Sequence, residues 1–388
     1  MNDNTAASSA PPAIQGTVAP GFERVREAFA EHFRRDDVYR ELGAALAVYR
    51  GGKPVVDLWG GHMDAQRQRP WQRDTLINVY STTKGIAATA MAMLVDEGKL
   101  AYGDLVTQHW PEFGANGKGS ITIAQLLSHQ AGLTGFAEPT TQSDLNNWRS
   151  CVDKLARQAP FIPPGTAASY HAMTWGYLMG EVFRRAAGET LGSYIGRRIS
   201  RVIGADVFVG LPATQERRVA EMRAPLAPPD LSALTQPREA LMALINPQLN
   251  PEVPNDREWR AAEIPAANGQ ASAQGLARVY AALAGGGEFE GKRLLARAGI
   301  ARMLERQKTG TDWMLGFTDN WAMGMCYNQF GMLGPNPETF GHGGWGGSFG
   351  AAHLESKLGI GYVCNQMGGQ LVGDPRAVAL CNAIFESL

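Results

Sequence analysis

Cysteine is scarce in this 388-residue chain: four residues, Cys151, Cys326, Cys364 and Cys381, lie far apart with no C-x-x-C pair. That scatter excludes a disulfide framework and a zinc ribbon, and the thiols are read as free in a reducing compartment. Also missing is any window of about 18 uninterrupted apolar residues of the kind a membrane-spanning helix needs. The opening run Met1 to Pro12 lacks the basic and apolar regions of a secretory signal, so a cytoplasmic location is expected. Charge of one sign is not in excess either. Lys+Arg 36 against Asp+Glu 37 leaves a net −1 with no long run of either sign, and neither nucleic acid nor an anionic membrane is suggested as a partner. No pair of the seven histidines has a metal-ligand spacing on a plausible helix, and no metal or cofactor is expected. Internal repeats are absent as well.

What is present is enough apolar residue, 44% of the chain, to build a sizeable core. Residues 1–20, rich in Ala, Ser and Pro, are expected to be a disordered tail. Phe22 to Phe33 has apolar residues at helical spacing. Gly43–Arg50 and Pro54–Gly61 flank Gly51-Gly52-Lys53 and predict a β-hairpin. Helical patterns follow from Ser81, over Ile121–His129 with an end near Gly132, over Met173–Ala187 closed by Gly188, and over Ser272–Leu283. Between about Leu211 and Ala267 the chain is Pro-rich and poorly periodic, which predicts long surface excursions or a lid. Short strands are expected at Thr339–His342 and Gly359–Asn365, separated by a glycine-dense turn, with a closing helix over Pro375–Glu386. Strands at both ends with helices between them predict an α+β fold, an antiparallel sheet flanked by helices, formed by residues 21–110 and 268–388 with 111–267 as an inserted, mostly helical domain.

Only one serine has a lysine three residues later: Ser81-Thr82-Thr83-Lys84. Fifteen serines and eight lysines would produce about 0.3 such pairs by chance, so the context must carry the argument. The run that follows, Gly85 to Leu94, is Ala- and Met-rich without proline, as in a buried helix. A helix starting at Ser81 puts i and i+3 on one face, bringing hydroxyl and amine together at the positive end of the helix dipole. There a serine can become nucleophilic without a histidine.

Three further motifs follow in order: Leu126-Leu127-Ser128-His129-Gln130-Ala131-Gly132-Leu133, then Tyr170-His171 ahead of Trp175-Gly176-Tyr177-Leu178, then Gly341-His342-Gly343-Gly344-Trp345-Gly346-Gly347. Together with Ser81-x-x-Lys84 they resemble the serine β-lactamase-like superfamily, and most of all its family VIII carboxylesterase branch, over roughly residues 22 to 388. Val56-Asp57-Leu58-Trp59-Gly60-Gly61, Phe208-Val209-Gly210-Leu211-Pro212 and Tyr362 to Gly368 fit the same branch. The resemblance implies a β-lactamase/transpeptidase-like fold. It implies Ser81 as acyl-accepting nucleophile, Lys84 as the group that eases removal of its proton, and Tyr170 as a phenol near both. Cations or a helix end beside Tyr170 would favour its phenolate and let it act as general base, and which of Lys84 and Tyr170 takes the first proton stays open.

His342-Gly343-Gly344 stands where the superfamily's β-lactamases carry Lys-Thr-Gly, and is expected to line the substrate pocket on an edge strand. The N–H groups of Ser81 and Trp345 would form the oxyanion hole; a shifted alignment moves the second donor to Ser348. Two departures matter. Tyr170-His171-Ala172 lacks the asparagine of Tyr-x-Asn, and His342 replaces the cation that would grip a β-lactam carboxylate. The resemblance therefore implies a cofactor-free serine carboxylesterase acting on a small, neutral, short-chain acyl ester, with weak or no β-lactamase activity. An acyltransferase, an amidase or D-aminopeptidase, and a non-catalytic penicillin-binding-type sensor are the alternatives. The intact Ser81, Lys84 and Tyr170 set argues against the sensor. Neither the physiological ester nor the oligomeric state has a signature in this chain.

Two motifs compete. Gly346-Gly347-Ser348-Phe349-Gly350 matches the G-x-S-x-G elbow of α/β-hydrolases, but the only later histidine is His353 and none follows Asp374. Gly341 to Gly346 matches G-x-G-x-x-G with no helix pattern after it, which argues against a dinucleotide site. His129 is read as a structural hydrogen-bonding residue.

Overall fold

The computed structural model describes residues 12–230, 234–318 and 320–388. The expectation of disorder for residues 1–11 lies outside them, and the rest of that segment differs from it: β1 (Gln15–Val18) runs antiparallel to β3 (Lys53–Gly61) at the sheet margin. Four residues with a glycine among them carry too little pattern to be read as a strand, and their partner supplies the order.

β2 (Gly43–Arg50) and β3 form the expected hairpin. Short strands β4 (Ile77–Asn78), β5 (Val207–Phe208) and β6 (Gln270–Ala271) make a small sheet ordered β4-β6-β5, and β7 (Glu288–Phe289) pairs with β8 (Lys292–Arg293). From the C-terminal part come β9 (Cys326–Tyr327), β10 (Phe340–Gly343), β11 (Phe349–His353) and β12 (Leu358–Cys364). The main sheet is seven-stranded, ordered β1-β3-β2-β12-β11-β10-β9, and antiparallel throughout. β11 sits inside the segment expected to be a glycine-dense turn. All five of its residues are buried, so it shows no polar alternation.

Helices cover both faces. On one, α1 (Glu23–Arg34) and the closing helix Pro375–Phe385 bury Phe29, Phe33, Leu380 and Ile384 against Leu46, Val48 and Ile360. On the other, helix Ala273–Ala284 lies so close to β12 that a Cβ on Gly359 or Gly361 would come within 2.2 Å of Ala281 N or 2.4 Å of Ala273 O. Glycine on the strand and alanine on the helix permit this approach. Beyond it, α2 (Thr82–Asp96) is buried on every side from Thr82 to Leu94, which explains its all-round apolar composition. Helix Thr174–Ala187 ends at Gly188 in the left-handed conformation, as its sequence predicts. The helix at 121–129 is shorter than expected, Ile123–Leu127, because His129 turns to φ 63° and redirects the chain. Residues 211–267 include helices Arg238–Ile245 and Arg257–Ala261 and supply one wall of the cavity described below. Among the described residues no helix is long and apolar enough to cross a membrane.

Candidate active site

Ser81 precedes the first turn of α2, and its hydroxyl caps no backbone N–H of that helix. The residue before it, Tyr80, has φ 41°, a conformation that costs a non-glycine residue of order 1–3 kcal/mol. Two contacts hold Tyr80 there: its phenol donates to Pro251 O at 2.6 Å and its ring lies 5.4 Å from that of Trp345. One turn into α2, Lys84 Nζ is 3.1 Å from Ser81 Oγ, 2.8 Å from Ala172 O and 3.0 Å from Ala266 O. Burial without a paired carboxylate pushes the lysine pKa well below its ordinary value. A neutral amine has two N–H groups and one lone pair. The two carbonyls account for the N–H groups and leave the lone pair for the serine proton.

Tyr170 completes the group, its OH 2.7 Å from Ser81 Oγ. Lys84 Nζ is 4.8 Å from the Tyr170 ring centre, yet burial dominates and raises the phenol pKa. The phenolate considered from the sequence is therefore disfavoured, and Tyr170 is a proton donor in the resting site. Its backbone is gripped at three successive N–H groups: Ser169 N to His129 O (3.1 Å), Tyr170 N to Asp312 Oδ1 (3.2 Å) and His171 N to His129 Nδ1 (3.1 Å). His129 is the hydrogen-bonding support expected of it. His171 accepts Leu133 N at Nε2 (3.0 Å) and bonds Ser169 O through Nδ1, with burial lowering its pKa to about 4.

Asp312 and Trp321 were not identified from sequence. The Trp321 ring stacks on Tyr170 at 5.8 Å and 9°, and its indole N–H donates to Asp312 Oδ2 at 2.9 Å. Asp312 Oδ1 also accepts Met314 N and Leu315 N, each at 2.9 Å. One carboxylate thus fixes both the backbone and the stacking partner of Tyr170. Asp312→Asn replaces an acceptor oxygen by a donor and should lower kcat by about tenfold through misplacement of the phenol. Steady-state kinetics on folded protein checks this, and an unchanged kcat would rule the support out.

His342 lies on β10, which β9 pairs only at Phe340 and Gly341, so the strand is an edge where the pocket needs it. His342 Nδ1 bonds Gly343 O at 2.7 Å, and burial, the main cause, pushes its pKa down to about 3. It is uncharged at neutral pH. Gly344 is where the turn meets α2: a Cβ there would fall 2.2 Å from Val79 O. Ser348 Oγ donates to Val79 O at 3.0 Å, and Thr82 Oγ1 donates to Ser348 O at 3.1 Å. The competing serine therefore joins the turn to the lead-in of Ser81, and β11 rather than a helix follows it. The Ser81 and Trp345 N–H groups have no acceptor among the described residues.

A cavity of about 270 Å³ opens over Ser81, Tyr170, His342, Gly343, Gly344 and Trp345. Its outer walls are apolar: Pro225, Pro228, Leu244, Pro251, Phe317 and Leu371 are among them. Among the described residues no lysine or arginine lines it, and the one carboxylate that does, Asp374, is bound to Arg376.

This sheet, this helix order and a serine, lysine and tyrosine within hydrogen-bond reach define a hydrolase of the serine β-lactamase-like class. The chain belongs to the beta-lactamase family, whose model matches residues 29–382, and within it to the family VIII carboxylesterase branch. It is similar to a solved family VIII carboxylesterase at 45% identity and TM-score 0.91, covering 97% of this chain and 100% of that one. A solved penicillin-binding protein homologue from Caulobacter crescentus is 41% identical at TM-score 0.90, with the same coverage. Esterase/beta-lactamase LipL of Mycobacterium tuberculosis is 35% identical over 375 residues, 92% of this chain and 84% of the relative.

Proposed function

We propose that the protein is a serine carboxylesterase that hydrolyses short-chain acyl esters through an acyl-enzyme on Ser81. The observation that carries this reading is Ser81 Oγ held between Lys84 Nζ at 3.1 Å and Tyr170 OH at 2.7 Å at the floor of an apolar cavity. The Lys84 lone pair takes the Ser81 proton as Oγ attacks the ester carbon. The Ser81 and Trp345 N–H groups receive the negative charge on the carbonyl oxygen. Tyr170 donates its proton to the departing alkoxide and recovers one from the Lys84 ammonium. Water then attacks the acyl carbon as the Lys84 amine takes one of its protons, the bond from that carbon to Ser81 Oγ breaks, the proton passes to Oγ, and the acid leaves with the site returned to its starting state.

Substrate charge follows from the lining. A carboxylate entering this cavity would lose its water shell and meet no lysine or arginine among the described lining residues, whereas a neutral ester has no such cost. Nitrophenyl acetate and butyrate should turn over rapidly, with rates falling beyond about eight acyl carbons as the cavity fills. A chromogenic cephalosporin should be hydrolysed slowly at most. A panel of nitrophenyl esters graded by length, run beside the cephalosporin and a penicillin, tests this. Equal efficiency on a β-lactam and on the best ester would overturn the substrate reading.

A further inference from the structure

The turn that carries the Trp345 N–H is anchored from behind by a buried ion cluster. Arg376, in the first turn of the closing helix, is completely inaccessible in its side chain. Its guanidinium donates four hydrogen bonds, from Nε to Asp374 Oδ1 (3.0 Å), from Nη1 to Gln366 O (2.9 Å), and from Nη2 to Asp374 Oδ2 (2.8 Å) and Gly346 O (2.9 Å), and Nη1 forms an ion pair with Glu41 Oε1 at 3.1 Å. Gly346 is the residue after Trp345, and its carbonyl also accepts Gly368 N at 3.0 Å. Glu41 is held in turn by the Tyr362 hydroxyl. Gly347, at φ 119°, lies so near that a Cβ there would be 2.9 Å from Asp374 Oδ2 and 3.0 Å from Arg376 Nη2.

Taking these charges out of water costs several kcal/mol per ion, and well-packed apolar residues often stabilise a core more than such a cluster does. Stability is therefore a poor reason for the cluster, whereas geometry is a good one. The Gly344–Ser348 segment, which carries the Trp345 N–H, is tied down at two points. Ser348 binds the turn to Val79 and Thr82 at the start of α2, and Arg376 binds Gly346 O from the opposite side.

We propose that Arg376, braced by Glu41 and Asp374, is a positioning residue that holds the Gly344–Ser348 turn so that the Trp345 N–H meets the oxyanion. The proposal rests on the reading of that N–H as an oxyanion donor. Lysine cannot replace the arginine, because it lacks the planar fork that reaches Gly346 O, Gln366 O and both carboxylates at once.

The test uses an oxoester and its thionoester, whose sulfur is a poor acceptor of N–H hydrogen bonds, measured on the wild type, Arg376→Lys and Glu41→Gln. In the wild type the oxoester should react much faster. In Arg376→Lys, kcat for the oxoester should fall by roughly 10–100-fold, KM should stay within about threefold, and the oxo-to-thiono ratio should shrink in proportion. Glu41→Gln, which keeps the volume and replaces the carboxyl by an amide, should move the ratio in the same direction by a smaller factor, and carries the test if Arg376→Lys does not fold. A wild-type ratio near one would remove the oxyanion reading itself. A large wild-type ratio that stays unchanged in folded variants, with only the thermal midpoint lowered, would overturn the positioning role while leaving the oxyanion reading intact.

Discussion

Ser81→Ala should abolish esterase turnover, leaving no more than the uncatalysed background, while the thermal midpoint stays close to that of the wild type. The side chain removed is small and caps no helix N–H, so only the Lys84 and Tyr170 contacts are lost with it. A serine-directed phosphonate should add its mass to the peptide containing Ser81 in the wild type and to no peptide in the variant. Labelling at Ser348 would overturn the assignment, although the Ser348 hydroxyl is already committed to Val79 O.

The second large effect concerns the proton path. Lys84→Ala and Tyr170→Phe should each lower kcat by roughly 10²–10⁴-fold or more, and the double variant should be little worse than either alone, because both act on one proton. Losses that multiply would mean that one of the two is only structural. The pH profile gives a further check with a fixed sign. Lys84 must be neutral to accept the proton and its pKa is lowered by burial. In the wild type kcat/KM should therefore rise as pH increases through that lowered pKa, and this acidic limb should vanish in Lys84→Ala. His342 cannot supply such a limb near neutrality, since its pKa is about 3.

The proposed catalytic group is legible in the chain to different depths. Ser81 and Lys84 are one helical turn apart, so local periodicity was enough to bring them together. Tyr170 is 89 residues from Ser81, and only the ordered motifs of the family pointed to it. Asp312 and Arg376 left no signal. Asp312 meets Tyr170 142 residues away, and Arg376 meets Gly346 30 residues away through a carbonyl, a group every residue has. Gly43–Gly61 reads as a hairpin because two apolar runs flank a glycine turn. β11 does not read as a strand, because Phe349-Gly350-Ala351-Ala352-His353 is enclosed on both faces and its glycine and alanines serve packing rather than alternation. Which of Lys84 and Tyr170 takes the first proton is not legible in the chain, because it depends on burial, and burial raises the Tyr170 phenol pKa.

The main sheet closes along β2 and β12, a seam whose register pairs Arg50 with Leu358 and Ala44 with Cys364. A ribosome extends the chain from its N-terminus at about 5–20 residues per second, so the first half of that seam waits many seconds for the second. During that interval α2 exists as an apolar segment with no sheet to lie on, and neither the turn carrying Trp345 nor the Arg376 anchor has yet been made. The proposed site can therefore assemble only once β12 and the closing helix have been made, and a nascent chain stalled before β12 should be inactive and a client for chaperones.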